Sequence, residues 1–302
     1  MNNIFVSTAC LKGDKSYERV LNEFLNNGIK CIELTGVHPY LNNNQLELLL
    51  LKYIQKGVSF TFHNYFPPPK KPIVLNYLTQ NFDLKKECQE IILNAVNLAK
   101  KTGVKTYAFH PGYYREAEIN SKGYFDFYGK SRKKFEDGFE IFKNDFVDFY
   151  KSLNIDNKNN EIFLGFENLF PNADGTNDSF MCTYDEISRI FDYAAKEKIN
   201  LKLLIDLGHL AISSNILKFD KYEFLHKIID NYGNRVFEIH ISENDQKNDL
   251  HNRVDSNSWQ LDALKLFKKL KNFNEIIFTY ESRGMSISEI RSDLELIKKS
   301  LI

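Results

Sequence analysis

Apolar residues along the chain follow two alternating rhythms. Short runs rich in β-branched, aromatic and aliphatic residues recur eight times: 3–8 (NIFVST), 30–35 (KCIELT), 58–63 (VSFTFH), 105–110 (KTYAFH), 162–167 (IFLGFE), 201–206 (LKLLID), 235–240 (RVFEIH) and 275–281 (EIIFTYE). Each is bracketed by a longer stretch in which apolar residues return every three or four positions, the spacing of one helix face. SYERVLNEFLNNG places Val20, Leu21, Phe24 and Leu25 together and stops at Gly28. LKKECQEIILNAVNLAKKTG repeats the design with Ile91, Ile92, Ala95, Val96 and Leu98 and ends at Gly103. The final helix, SISEIRSDLELIKKSLI, opens with Ser286-Ile287-Ser288-Glu289, which reads as a cap.

Eight consecutive strand-helix units without a strong linker predict an α/β fold, one closed (β/α)8 barrel over residues 1–302, in preference to an open doubly wound sheet. The longer insertions all follow strands: 64–84, 111–133, 168–182 and 241–258. In a barrel such loops gather at the C-terminal rim, where substrates bind. No G-x-G-x-x-G or Walker-type loop occurs, so no nucleotide cofactor is expected.

Composition adds limits rather than detail. A 43% hydrophobic and 14% aromatic content is enough for a large core. Forty basic and forty acidic residues cancel, so no global field draws the chain to nucleic acid or an anionic membrane. The N-terminal MNNIFVSTACLKG lacks the pattern of a signal peptide, and no apolar run approaches the roughly 18–20 residues that cross a bilayer. A cytoplasmic protein without a membrane partner is expected, and homo-oligomer formation is left open. Cys10, Cys31, Cys88 and Cys182 form no C-x-x-C pair, which argues against both a cysteine-ligated zinc and a disulfide framework.

The chemistry lies at the strand ends. LLIDLGHL (203–210) is mostly aliphatic, yet it carries Asp206 and His209 three residues apart. His63, His110, Glu167, Asp206, His240 and Glu281 are each the last or nearly last residue of a predicted strand, so closing the barrel would bring six metal-type side chains to one rim. His209 follows a turn through Gly208, and Asp249 and His251 lie in the loop after the seventh predicted strand. Each has a plainer role open to it: Asp206 alone would cap a helix, and a single strand-end histidine would be a hydrogen-bonded structural residue. Caps, however, do not require histidines, and five of the seven histidines fall in this set. His38 and His226 read as ordinary loop and helix residues. Imidazole and carboxylate donors without thiolate suit Zn²⁺, Mn²⁺, Fe²⁺ or Co²⁺ better than Ca²⁺. Nine donors exceed the needs of one ion, which makes room for two or three, and one to three divalent ions are expected.

FHN (62–64), FHPG (109–112), GFEN (165–168), IDLGH (205–209), HISEND with DLH (240–251) and YES (280–282) together resemble the xylose isomerase-like TIM barrel superfamily, which includes sugar-phosphate isomerases and epimerases and the endonuclease IV (family 2 AP endonuclease) enzymes. Resemblance to the epimerase branch implies a divalent-metal-dependent sugar or sugar-phosphate isomerase/epimerase. Glu167, Asp206, His240 and Glu281 would then hold one ion, and Glu167 and Glu281 would be the paired acid/base groups on a ketose. Tyr65, His209, Arg253 and Arg283 are the expected substrate-binding residues. Resemblance to the endonuclease IV branch implies the alternative, a metal-dependent phosphodiesterase acting on abasic DNA or another phosphate ester. Its three zinc ions would sit on His63, His110 and Glu167; on Glu167, Asp206, His240 and Glu281; and on His209, Asp249 and His251. A barrel that merely holds metal as a binding protein is a third class.

The sequence departs from the DNA-repair pattern at LTGVHPYLNNN, which lacks an arginine-bearing loop after the second strand, and at HNYFPPPKKP. A carbohydrate substrate is therefore favoured over nucleic acid. Lys70, Lys71, Arg115, Lys130, Arg132 and Lys133 are read as solvated loop charges in preference to a DNA-binding face. Tyr65, Phe66, Tyr113, Tyr114, Tyr124, Phe125, Phe127 and Tyr128 are expected to pack among themselves before stacking on a ligand.

Overall fold

A computed structural model describes residues 3–119, 125–128, 134–156 and 161–302. Eight parallel strands close into a barrel: β1 (Ile4–Ser7), β2 (Cys31–Leu34), β3 (Ser59–His63), β4 (Thr106–Phe109), β7 (Phe163–Glu167), β8 (Lys202–Asp206), β9 (Val236–Ile241) and β10 (Ile277–Tyr280), in the order β1-β10-β9-β8-β7-β4-β3-β2. All eight predicted strands are therefore barrel strands. Two further strands, β5 (Glu116–Ile119) and β6 (Phe125–Tyr128), form an antiparallel pair within the 111–133 insertion after β4, which is thus not all loop. EAEI and FDFY alternate polar and apolar residues but are only four residues long, too short to stand out within a loop. The pair is held by Ala117, Phe125 and Phe127 packing with Tyr113 and Val74.

Helices cover the outside because each barrel strand presents alternate residues to them. The helices α1 (Tyr17–Asn26), α2 (Asn43–Ile54) and α3 (Phe82–Thr102) follow β1, β2 and β3. After β4 a continuous helical stretch runs through α4 (Phe135–Ile141), a π turn (Phe142–Phe146) and α5 (Val147–Ser152). The π turn sets Phe142 and Phe146 against Phe166 of β7, with ring centres 6.0 and 4.6 Å away. The series closes with α6 (Tyr184–Lys196), α7 (Leu207–Leu217), α8 (Lys221–Tyr232), α9 (Trp259–Leu266) and α10 (Ile287–Leu301). Local chemistry sets their ends. Gly103 closes α3 in the left-handed region at φ 78°, where a side chain is strained. Ser286 and Glu289 form a reciprocal capping box on α10, as the sequence suggested. No helix among the described residues is long and apolar enough to cross a membrane.

The barrel interior has two kinds of filling. Pairing of Leu203 with Val236 and of Leu204 with Glu238 leaves Phe237 as an extra residue on β9, a bulge. Phe237 packs with Ala108, Leu204 and Phe163. It fits only because residue 165 is glycine: a Cβ there would lie 2.4 Å from the Phe237 ring. Around this plug lies a polar layer in which Thr279 donates to Glu238 at 2.6 Å, Thr61 approaches the other Glu238 oxygen at 3.4 Å, and Thr106 donates to Thr61 at 2.7 Å. Side chains two residues further along the strands reach the C-terminal mouth.

Candidate metal centre

All nine sequence-predicted donors meet at that mouth. Glu167, at the end of β7, is the hub. One oxygen lies 2.7 Å from His63 Nε2 and 3.2 Å from His110 Nε2; the other lies 3.1 Å from His209 Nδ1. On the neighbouring strands, His240 Nδ1 is 3.0 Å from a Glu281 oxygen and 3.8 Å from Asp206 Oδ2. Asp249 Oδ2 lies 2.8 Å from His251 Nε2 and 3.7 Å from His209 Nε2. The ladder accounts for part of this convergence, because Asp206 and His240 are direct register partners on β8 and β9.

Several of these side chains are aimed by backbone groups. A carbonyl only accepts, so the 2.9 Å contact between His209 Nδ1 and the Asn168 carbonyl places a proton on Nδ1 and makes Nε2 the nitrogen that can offer a lone pair once the ring is neutral. The same logic holds for His251, whose Nδ1 donates to the Glu281 carbonyl at 2.9 Å. Asn168 also clamps the ends of β7 and β8: its amide oxygen accepts from Asp206 N at 2.8 Å and its amide nitrogen donates to the Asp206 carbonyl at 3.1 Å. Asp249 and His251 return to the rim because Glu243 and Asn252 exchange backbone hydrogen bonds across the base of their loop.

Asp206 carries both roles that the sequence left open. Its Oδ1 accepts from His209 N at 2.7 Å and caps α7. Its Oδ2 is buried and has no hydrogen-bond partner. The DLGH turn therefore uses one carboxylate oxygen for structure and leaves the other to the cluster. A side chain at Gly208 would disturb this turn, since a Cβ would lie 2.9 Å from the Ser242 carbonyl.

Burial and mutual charge govern protonation here. Burial pulls His63 down, but the Glu167 and Glu33 carboxylates outweigh it and hold the imidazole up at about 9. His209, His240 and His251 are likewise raised, against burial, by their carboxylate neighbours. In return, His110, His63 and His209 hold Glu167 well below the usual carboxylate range despite burial. Asp206 goes the other way: burial, with Glu167 and Asp249 beside it, lifts it to about 6. For His110 burial wins and its affinity for a proton falls.

The donor set fits divalent metal. Buried carboxylate oxygens of Glu33, Glu167, Asp206 and Asp249 make no aligned hydrogen bond, although histidine nitrogens stand 2.8 Å from Glu33, 3.1 Å from Glu167 and 3.8 Å from Asp206, and buried oxygens so placed are costly unless a positive charge pairs with them. Ligand atoms of His63, His110 and Glu167, of Glu167, Asp206 and His209, and of Asp206, His240 and Glu281 each lie within 4.8 Å of one another. Imidazole and carboxylate without thiolate is a donor set suited to zinc, manganese, iron or cobalt.

One member of the cluster was not anticipated. Glu33, on β2, is fully buried, with an oxygen 2.8 Å from His240 Nε2 and 3.9 Å from His63 Nδ1. It also completes a fourth possible ligand group with those two histidines. Its position in KCIELT, two residues before the strand run ends, was the available signal.

The expected substrate contacts are placed differently from the donors. Arg253 is turned to α10, where its Nε and one terminal nitrogen contact the buried Asp293 carboxylate at 3.0 and 2.7 Å and the other reaches Glu289 at 3.2 Å. That fork is already filled. The hydroxyl of Tyr65 accepts from Leu75 N at 3.2 Å and ties down the proline loop. Arg283 is exposed, and its backbone N donates to the His251 carbonyl at 2.8 Å. His209 sits among the donors with Phe170 at a ring distance of 4.6 Å. His38 is not an ordinary loop residue: it is buried, stacked 4.2 Å from Tyr17, and pushed down to about 4 by burial. His226 is exposed on α8 as expected.

The aromatic loops pack on themselves: Tyr113 lies edge-on to Phe125 and Phe127, and Tyr114 to Phe180. Of the basic loop residues, Arg115 pairs with Asp178 at 3.1 Å, and Lys70 and Lys71 line a lateral groove with Glu87 and Glu90. Tyr124, Lys130, Arg132 and Lys133 lie outside the described residues. None of the four cysteines is in a disulfide.

Known proteins place this architecture. A D-tagatose 3-epimerase-like protein superposes with a TM-score of 0.68 at 19% identity, covering 99% of this chain and 97% of its own. D-psicose 3-epimerase from Clostridium cellulolyticum H10, solved with D-tagatose, gives 0.65 at 13% identity and covers 99% of both chains. Endonuclease IV from Thermus thermophilus gives 0.61 at 13% identity, covering 99% of this chain and 98% of its own. At these identities the likeness is one of fold. No protein of curated function matches the chain in sequence. The family model described as xylose isomerase-like TIM barrel matches residues 23–300, and the chain therefore belongs to the xylose isomerase-like TIM barrel family.

Proposed function

We propose that the protein is a divalent-metal-dependent sugar or sugar-phosphate isomerase/epimerase, with Glu167 and Glu281 as its proton-transfer pair. The observation that carries this reading is the arc β7-β8-β9-β10, whose strand ends supply Glu167, Asp206, His240 and Glu281 in that spatial order. β7 and β10 stand three places apart in a ring of eight, so the two glutamates approach the centre of the mouth from widely separated sides. A divalent ion held by these four residues would polarise the carbonyl and hydroxyl of an open-chain ketose and acidify the neighbouring C–H. One carboxylate takes that proton on one face of the sugar carbon, and the other returns a proton from the opposite face, which inverts the centre. Histidine partners hold both glutamates below the usual carboxylate range, so both are ionised at neutral pH; one takes the proton directly, and the other must first pick up a proton from solvent before it can return it. The two epimerase-related neighbours support a carbohydrate substrate.

The test is exchange of solvent deuterium into a ketose or ketose-phosphate pool by metal-loaded protein. Exchange that disappears in Glu281→Gln is the expected result. Cleavage of an abasic-site duplex, lost in Glu167→Gln, would overturn it.

A second reading has its own observation. The four-residue arc leaves His63 and His110 beside it on β3 and after β4, and His209, Asp249 and His251 in the segments that follow β8 and β9, linked to Glu167 and Glu281 through His209 and His251. A set of this size can hold two or three ions, as phosphate-ester hydrolysis uses. Metal content separates the readings: about one equivalent of Mn or Co goes with the epimerase, and two to three of Zn or Fe with the phosphodiesterase.

A further inference from the structure

Glu33 has no assignment in either mechanism, yet it is the most enclosed acid of the mouth. Both of its oxygens are buried without a hydrogen bond, and so is His240 Nε2, which lies 2.8 Å from one of them. The other His240 nitrogen, Nδ1, faces Glu281 at 3.0 Å and Asp206 at 3.8 Å. An imidazole can offer a lone pair to a cation on one nitrogen only if its proton sits on the other. The His240 ring thus lies between two sets of carboxylates: Nδ1 faces Glu281 and Asp206 of the donor set, and Nε2 faces Glu33 at 2.8 Å and, further off at 3.6 Å, Glu238. His63, whose ring is 4.6 Å from that of His240 and nearly perpendicular to it, turns Nε2 to Glu167 and Nδ1 to Glu33.

We propose that Glu33 is a positioning residue for metal, accepting the Nε2 proton of His240 so that Nδ1 is presented to the ion, and flanking His63 on its rear face. The inference rests on the metal-dependent reading above. Glu33 touches neither substrate nor ion in this role. A carboxylate behind a ligand histidine fixes its tautomer and ring orientation and raises its basicity, and losing such a partner weakens metal binding about 10–100-fold.

The experiment measures Zn²⁺ and Mn²⁺ affinity by chelator competition on the full chain, with thermal melts of the metal-free proteins alongside. Glu33→Met, similar in volume but without an acceptor, is expected to lose about 10–100-fold in affinity with unchanged stoichiometry. Glu33→Gln, which keeps an acceptor at the same reach, is expected to retain most of the affinity. Equal affinity in wild type and Glu33→Met would overturn the proposal, as would loss of one full equivalent of metal, which would make Glu33 a ligand. Should Glu33→Met fail to fold, ¹⁵N spectra of the metal-loaded wild type decide: the proposal requires His240 protonated on Nε2, and a metallated Nε2 contradicts it. Wild-type protein that binds neither ion defeats the metal-dependent function itself, an outcome distinct from wild-type binding that Glu33 does not influence.

Discussion

Replacing Asp206 by asparagine separates two jobs that one carboxylate performs. Oδ1 accepts the 2.7 Å bond from His209 N and caps α7, while Oδ2 is buried without a hydrogen bond, 3.8 Å from His240 Nδ1. Asparagine is about as good an N-cap as aspartate, whereas alanine costs about 1 kcal/mol at such a position. For a chain of this length 1 kcal/mol moves the melting temperature by roughly 2 °C. Metal-free Asp206→Asn should therefore melt within about 1 °C of wild type, and Asp206→Ala about 2 °C or more below it. Metal binding should divide the variants differently. Asparagine has a single oxygen, already committed to the cap, and presents an amide NH₂ where Oδ2 stood. Both variants should then lose more metal affinity than the roughly 10–100-fold that accompanies loss of an outer partner. Thermal melts in EDTA and chelator competition with Zn²⁺ supply the two numbers. Wild-type metal affinity in Asp206→Asn would refute the reasoning, because the free oxygen would then have no ligand role.

Three further outcomes follow from the same geometry. The metal-free protein should lose stability as pH rises from 6.5 to 9. His63, raised to about 9 in the folded state, contributes stability that is fully present below its unfolded value and lost as pH passes through about 9, at most about 3 kcal/mol. Metal-loaded protein should show the opposite trend, because protons leave as the ion binds; parallel pH–melting curves with and without metal would contradict this. Gly165→Ala should cost about 1–3 kcal/mol or more by forcing a Cβ to within 2.4 Å of Phe237, measured by urea unfolding, and a neutral effect would show that the barrel plug can shift freely. Arg253→Ala should lower stability by about 1–3 kcal/mol, since it takes the guanidinium from the buried Asp293 carboxylate and leaves it the Tyr280 hydroxyl, while leaving the Michaelis constant of any established substrate unchanged; a large rise in that constant would restore Arg253 as a substrate contact.

Much of this was legible in the sequence because period and position are local. Eight β-rich runs alternated with helical ones, and the donors stood at the ends of those runs, where barrel closure had to bring them together. What escaped depends on the third dimension. Glu33 sits inside a strand run, and nothing in KCIELT says that the barrel interior at its level holds two histidines. The role of Asn168 depends on β7 and β8 being neighbours, and the β5-β6 pair, four residues a strand, on side-chain packing against Tyr113. Arg253 looked available because its partner lies forty residues further on, in α10. His38 looked like a loop residue until the stacked Tyr17 enclosed it.

The account stands on cations being held at the barrel mouth, and diffraction at a metal absorption edge tests that most directly. Crystals soaked in Zn²⁺ or Mn²⁺ should give at least one strong anomalous peak bonded to Asp206 Oδ2, His240 Nδ1, Glu167 and Glu281. A mouth that stays free of anomalous density at saturating metal, with the carboxylates paired only to protonated histidines, would contradict it.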